Sequence, residues 1–136
     1  MLEPQTGADA GGVTASARIL VVEDDPAVGL FVASVLTRAG YEVCRASGLL
    51  EARVLAADRP LDLLLTDVVL GSVDGLDVEE AVRALQPHVK SLFMSGYAKP
   101  RYRVGSEDPV LAKPFEAAEL IERVEAILGS RHRLPA

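Results

Sequence analysis

The chain has 136 residues, with 49% hydrophobic and 25% charged side chains, which suits one globular domain with a sizeable core. Its 20 acidic and 14 basic residues give a formal net charge of −6, and without a basic stripe we expect no nucleic-acid partner. No apolar run reaches the ~20 residues of a membrane span, so we expect no membrane partner, and the single cysteine, Cys44, excludes an internal disulfide and fits a cytoplasmic location.

The two ends of the chain lack helical or strand periodicity. Residues 1–16 are rich in Gly, Ala and Thr and predict a flexible leader, whereas 130–136 predict a C-terminal tail. The segment between them, 17–129, alternates short apolar runs with helical spacing and predicts a single domain.

In chain order, the predicted strands and helices of this segment alternate. Short apolar runs predict strands at 19–22, 41–46, 61–66, 89–94 and 110–112, and the run at 19–22 is continuous, as expected of a strand buried on both faces. Apolar residues at helical spacing predict helices over 28–39, 49–57, 76–85 and 120–128. Pro26 suits the start of the first helix, and Gly40 suits its end. The alternation favours a parallel sheet with helices on both faces.

Polar side chains follow four of the predicted strands directly, and they are Glu23 with Asp24, Asp67, Ser95 and Lys113. The functional crevice of such a sheet lies outside the carboxyl ends of its strands, so we expect these side chains to gather there. Clustered carboxylates repel one another unless cations neutralise them, and Lys113 supplies only one positive charge. Mg²⁺ favours one or two carboxylates together with waters and phosphate oxygens. The set therefore suits phosphoryl transfer, which depends on positioning and charge neutralisation.

Each of these residues also has a plainer interpretation. Asp25, directly before Pro26, is expected to cap the first helix, since Asp is a preferred N-cap residue. Asp67 alone would be a turn residue, Lys113 a surface charge, and Ser95 before a glycine an ordinary turn signal. Their joint occurrence at the ends of four strands favours a site.

Four segments of the chain resemble the receiver domains of bacterial response regulators, over about residues 17–129. They are ILVVEDDP, DLLLTDVVLGSVDG, LFMSGYA and LAKPF, in the order that the family has them. The resemblance implies a flavodoxin-like (CheY-like) three-layer α/β sandwich with a five-stranded parallel sheet in the order 2-1-3-4-5. It also implies that 17–129 form a receiver domain.

The resemblance further implies a magnesium site and a phosphoacceptor. Asp67 resembles the aspartate that takes up the phosphoryl group, and Asp24 resembles the direct Mg²⁺ ligand. Glu23 corresponds to the neighbouring acid that holds a metal-bound water, and the backbone carbonyl of Val69 would be the third protein ligand.

Two further positions match the family's switch residues. Ser95 stands at the position of the switch hydroxyl, and Lys113 resembles the lysine that pairs with the phosphoryl oxygens. Pro114 follows that lysine, where the family commonly has a cis peptide bond.

Two departures from the family pattern concern how a signal would leave the site. Val110 occupies the position, three before the lysine, where the family often has an aromatic switch residue. Residues 97–108, with a further proline at 109, are poor helix formers, so we expect the fourth helix, between the fourth and fifth strands, to be reduced. We expect residues 97–108 to change mobility on phosphorylation, and we expect Tyr97 to transmit the change from the site.

The resemblance implies that a histidine kinase or histidine phosphotransferase donates a phosphoryl group to Asp67 with Mg²⁺ bound. The domain would then dephosphorylate itself slowly and signal through contacts with a downstream protein, as a switch and not as a metabolic enzyme. The alternative within the same family is a receiver module excised from a hybrid histidine kinase.

Two alternatives from other classes remain. A small aspartyl-phosphate phosphohydrolase usually needs a second aspartate two residues after the nucleophile, where this chain has Val69. A flavodoxin-like cofactor binder would need a phosphate loop rich in Gly, Ser or Thr after the first strand. This chain has acids there, which repel phosphate unless a metal intervenes.

Overall fold

The computed structural model describes residues 16–96 and 109–129. Its main sheet has five parallel strands, β1 Arg18–Val22, β2 Glu42–Ala46, β3 Leu63–Asp67, β4 Lys90–Ser95 and β5 Val110–Ala112. They follow one another across the sheet in the order 2-1-3-4-5, which confirms the predicted topology.

Helices cover both faces of this sheet, as the alternating pattern predicts. They are α1 Pro26–Arg38, α2 Leu49–Asp58, α3 Gly75–Leu85 and the C-terminal helix Ala117–Leu128. The core residues of α1 pack with those of the C-terminal helix on one face, and α2 packs with α3 on the other. Within the described residues, none of these helices is both long and apolar enough to cross a membrane.

The central strands β1 and β3 are rich in aliphatic residues because they are buried on both faces, whereas the edge strand β2 is largely exposed or half-buried. Successive side chains of a strand point to opposite sides, so Ile19 and Val21 join the α1 core while Leu20 and Val22 join the α2–α3 core. All five residues of β1 are buried. Packing on both faces and pairing with neighbouring strands fix the positions of the carboxyl ends of the central strands.

The structure differs from the sequence-based expectation in two places on either side of β3. The strand starts at Leu63 instead of Leu61, because the Leu61 N–H donates to the side chain of Gln86 at 2.5 Å. A two-stranded antiparallel hairpin, Val69–Leu70 with Val73–Asp74, follows β3 and was not predicted.

Some predictions fall on residues outside the described ranges. They are the leader at 1–16 apart from its last residue, the tail at 130–136, the reduced fourth helix within 97–108 and the role of Tyr97.

Candidate functional site

The loop between β1 and α1 places one acid inward and the next outward. The Glu23 N–H donates to the Ala46 carbonyl at 3.0 Å, which ties the start of the loop to the end of β2. Asp25 accepts the Ala27 N–H at 2.9 Å and caps α1, as predicted, while its own N–H donates to Glu23 Oε2 at 3.1 Å. Glu23 is therefore buried, whereas Asp24 is exposed.

Asp67 ends the central strand β3 and is 7% exposed. Its Oδ1 accepts the Val69 N–H at 3.0 Å, and its Oδ2 accepts a hydrogen bond from Lys113 Nζ at 2.6 Å. Both carboxylate oxygens are thus oriented by donors on the same molecule. The first of these bonds brings Val69, the predicted carbonyl ligand, next to Asp67.

The start of α3 packs directly against the backbone of Asp67. The Gly75 N–H donates to the Val68 carbonyl at 2.7 Å, and a Cβ at Gly75 would collide with the Asp67 carbonyl oxygen. The same Cβ would lie 3.2 Å from Phe93 Cε1, so only glycine fits. Sequence reasoning missed this residue, although the Asp74–Gly75 pair ahead of a helical pattern was an available signal.

Lys113 joins the end of β5 to the acids of the other strands. Its N–H donates to the Ser95 carbonyl at 2.7 Å, and its Nζ lies 2.9 Å from Glu23 Oε1 as well as 2.6 Å from Asp67 Oδ2. Burial favours the neutral amine, but the hydrogen bonds to Asp67 and Glu23 outweigh it and raise the pKa of Lys113. The Lys113–Pro114 peptide is cis, as the resemblance implies.

Glu23 is the acid whose protonation is most affected by this arrangement. Burial raises the pKa of Glu23, and the nearby Asp67 charge raises it further. Hydrogen bonds from Lys113 and from the Asp25 N–H oppose this shift without cancelling it. Burial therefore outweighs the stabilisation that the Lys113 ammonium gives to the Glu23 carboxylate.

Three carboxylates come together in the manner of a divalent-metal site. Glu23, Asp24 and Asp67 can each offer an oxygen such that the three atoms lie within 4.8 Å of one another. Hard oxygen donors with an excess of negative charge suit Mg²⁺. The donor set therefore fits the ion that the sequence predicts.

Ser95 ends β4 beside these acids. Its neighbour Met94 pairs with Asp67 across the two strands, and Ser95 itself pairs with Ala112 on β5. Ser95 is 1% exposed. The sheet thus brings the predicted switch hydroxyl to the same edge as the predicted phosphoacceptor.

Two clefts flank the site. A cleft of about 500 Å³, called here the apolar cleft, is lined by Ala27, Val28, Phe31, Gly96, Lys113, Pro114 and Phe115. The smaller acidic cleft, of about 250 Å³, is lined by Glu23, Asp24, Pro26, Arg45, Ala46, Ser47 and Glu51. The site therefore borders the apolar cleft at Lys113 and the acidic cleft at Glu23 and Asp24.

Comparison with known proteins agrees with this geometry. Residues 19–125 match the family model described as the response regulator receiver domain. The response regulator receiver protein CpdR of Brucella abortus (strain 2308) is 32% identical over 115 residues, which cover 82% of this chain and 96% of that protein. The chain spans about half the length of several curated transcriptional regulators that it also matches.

Solved structures lead to the same family. The receiver domain of the hybrid histidine kinase CckA is 33% identical with a TM-score of 0.72, over 82% of this chain and 99% of that one. The receiver domain of the sensor histidine kinase PA1611 from Pseudomonas aeruginosa PAO1 is 29% identical with a TM-score of 0.74, over 85% and 100% of the two chains. That structure has a magnesium ion coordinated in its active-site cleft.

The chain belongs to the response regulator receiver domain family. It is a phosphoacceptor module of a two-component regulatory system, with the flavodoxin-like fold that the sequence predicts.

Proposed function

We propose that Asp67 accepts the phosphoryl group, that the acidic cluster binds Mg²⁺, and that the domain passes its state on through protein contacts. One observation carries the proposal. The buried Asp67 carboxylate at the end of the central strand contacts Lys113 at 2.6 Å, and its oxygen can lie within 4.8 Å of the oxygens of two further acids. Such an arrangement positions a nucleophilic oxygen and provides for neutralising the charge of an incoming phosphate.

In the proposed transfer, a carboxylate oxygen of Asp67 attacks the phosphorus of a phosphohistidine. A P–O bond forms, the P–N bond breaks, and the imidazole keeps the electron pair and takes up a proton. Glu23, Asp24, Asp67 and the Val69 carbonyl would hold the metal, Glu23 through a water. A bound Mg²⁺ would supply the charge neutralisation that these repelling anions require.

Lys113 and Ser95 are proposed to read the phosphorylated state. The Lys113 ammonium already contacts Asp67 Oδ2, so it can move to the oxygens of a phosphoryl group attached there. The Lys113 main-chain N–H donates a hydrogen bond to the Ser95 carbonyl at 2.7 Å, so a movement of one residue is passed to the other. Phosphorylation would thus shift the ends of β4 and β5 together.

The donor is proposed to be a histidine kinase or histidine phosphotransferase, and the receiver of the signal a downstream protein. We propose a cytoplasmic location, with phosphorylation by small acyl phosphates and slow autodephosphorylation at the same site. The similarity to the CckA receiver, over 99% of that chain, fits one variant of this role, a module of a hybrid histidine kinase, and the similarity to CpdR, over 96% of that protein, fits a free single-domain receiver.

Intact-mass measurement after incubation with acetyl phosphate tests the proposal. The wild-type chain should gain the mass of one phosphoryl group when Mg²⁺ is present and should not gain it with a chelator. Asp67→Asn should gain none, whereas Asp58→Asn, the same change at an acid with a 63% exposed side chain, should behave as wild type. Full labelling of Asp67→Asn would refute the assignment.

A further inference from the structure

Arg45 lies on the edge strand β2 and reaches across to the first turn of α1. Its Nη2 donates to the Pro26 carbonyl at 3.3 Å. A Cβ built on Gly29 would lie 2.9 Å from the same nitrogen, and its three nearest neighbours are all atoms of the Arg45 side chain. The guanidinium therefore rests on α1 where the helix has no side chain to keep it away.

The first turn of α1 is continuous with the acidic loop. The Gly29 N–H donates to the Asp25 carbonyl at 3.0 Å, so the turn that Arg45 contacts also holds the residue after Asp24. Within residues 16–96 and 109–129, no hydrogen bond or ion pair holds the Asp24 carboxylate itself. Its position therefore depends on the backbone that carries it.

The loop has two anchors on β2, and they come from adjacent residues. The Ala46 carbonyl accepts the Glu23 N–H at 3.0 Å, before Asp24, and the Arg45 side chain bonds Pro26, after it. The acidic cleft lies between these anchors, with Asp24 and Arg45 both in its wall. The two contacts together bracket the exposed acid.

We propose that Arg45 is a positioning residue of the metal site, which sets where Asp24 presents its carboxylate to a divalent ion by holding the first turn of α1. The inference rests on the proposed Mg²⁺ binding at Asp24. Groups that orient metal ligands commonly affect affinity about 10- to 100-fold. Since Arg45 acts through the backbone, we expect a smaller effect, of roughly three- to tenfold.

The charge of Arg45 alone predicts the opposite change in Mg²⁺ affinity, so the two explanations can be distinguished by experiment. A positive side chain near the acidic cleft repels a cation, so its removal should tighten Mg²⁺ binding if charge alone mattered, weakly at an exposed and screened position. Arg45→Lys keeps the charge but lacks the planar fork. Positioning predicts weaker binding for both Arg45→Ala and Arg45→Lys.

Gly29→Ala perturbs the same contact from the other side without changing any charge, because the added Cβ would lie 2.9 Å from Arg45 Nη2. The added methyl group must displace the guanidinium, and alanine is the better helix former. We expect the metal-free variant to melt no lower than wild type and still to bind Mg²⁺ about as weakly as Arg45→Ala. Against an Arg45→Ala background, Gly29→Ala should no longer change the affinity.

Isothermal titration of the full chain with MgCl₂, at fixed ionic strength, gives the dissociation constants, and thermal unfolding without metal reports the fold. Arg53→Ala removes an exposed positive charge from α2 as a control and should leave Mg²⁺ affinity unchanged. Unchanged or tighter Mg²⁺ binding by the Arg45 variants, or unchanged Mg²⁺ binding by Gly29→Ala, would overturn the role of Arg45. Neither result would contradict the proposed function. Failure of the wild-type chain to bind Mg²⁺ would overturn the proposed function as well.

Discussion

At the amino end of the sheet, the neutral side-chain amide of Gln86 is matched by main-chain partners, whereas at the carboxyl end two of three clustered carboxylates share one ammonium group. Gln86 Nε2 donates to the Ala56 carbonyl at 2.6 Å and to the Arg59 carbonyl at 2.8 Å, and its Oε1 accepts the Leu61 N–H at 2.5 Å. This one side chain joins the end of α2 and the segment just before β3 to the end of α3.

The carboxyl end has donors and acceptors in unequal numbers. Lys113 is hydrogen-bonded to Glu23 and to Asp67, whereas Asp24, which can place an oxygen within 4.8 Å of an oxygen of each of these acids, has no ion pair within residues 16–96 and 109–129. The resulting repulsion disfavours the metal-free fold, and the proposed Mg²⁺ would relieve it and neutralise the charge of an incoming phosphoryl group. The comparison separates residues that hold the fold from residues that carry the chemistry.

The largest loss of stability is expected for Gln86→Ala. Three main-chain groups lose their partner, two of them in part-buried surroundings, so the free energy of unfolding should fall by about 3 kcal/mol. Urea unfolding gives this value, and His88→Ala, an exposed neighbour, is the control. Acetyl phosphate labelling of the folded variant should match wild type. Altered labelling would show that Gln86 also affects the site and does not only stabilise the fold.

Gly75→Ala should affect both properties, because this glycine connects the fold to the site. The added methyl group pushes against the Asp67 carbonyl oxygen, so we expect a loss of about 2 kcal/mol together with slower phosphoryl uptake. Gly48→Ala is the matched control, since a Cβ there meets nothing within 4 Å. Normal labelling rates in Gly75→Ala would show that the close packing does not position Asp67.

Lys113→Ala should lower the stability of the metal-free protein by about 1–2 kcal/mol, because Glu23 and Asp67 lose their shared partner. Mg²⁺ should restore stability more in this variant than in wild type, since the ion takes over the lost neutralisation. Unfolding curves with and without Mg²⁺ measure the difference. Lys90→Ala, at the amino end of β4, is the charge-matched control. A variant that stays unfolded in Mg²⁺ would show that the lysine is structural.

The smallest expected effect is a pH dependence that comes from Glu23. Burial raises the pKa of Glu23 above its ordinary value of 4.5, so the folded state binds this proton more tightly than the unfolded state does. The stabilising contribution is complete below pH 4.5 and is lost as pH rises through the folded-state pKa. In a chelator, wild type should therefore lose stability relative to Glu23→Gln between acidic and neutral pH. Glu122→Gln should run parallel to wild type.

The sheet order and the gathering of Glu23, Asp67 and Lys113 could be predicted because strand–helix alternation fixes where the carboxyl ends of the strands meet. The hairpin after β3 was missed because two-residue strands leave no periodic signal. Gly75 could have been found from the Asp74–Gly75 pair ahead of a helical pattern, whereas the anchoring by Gln86 depends on contacts with residues 25 to 30 positions away, which no local pattern encodes.

Chemical mapping of the phosphorylated residue tests the central claim most directly. An acyl phosphate on an aspartate is reduced by borohydride to homoserine, and peptide mass spectrometry then locates it. After incubation with acetyl phosphate and Mg²⁺ and reduction, we predict homoserine at Asp67, in the peptide that contains the end of β3. Glu23 and Asp24 should be unchanged. Conversion of Asp24 or Glu23 instead, with Asp67 intact, would contradict the account.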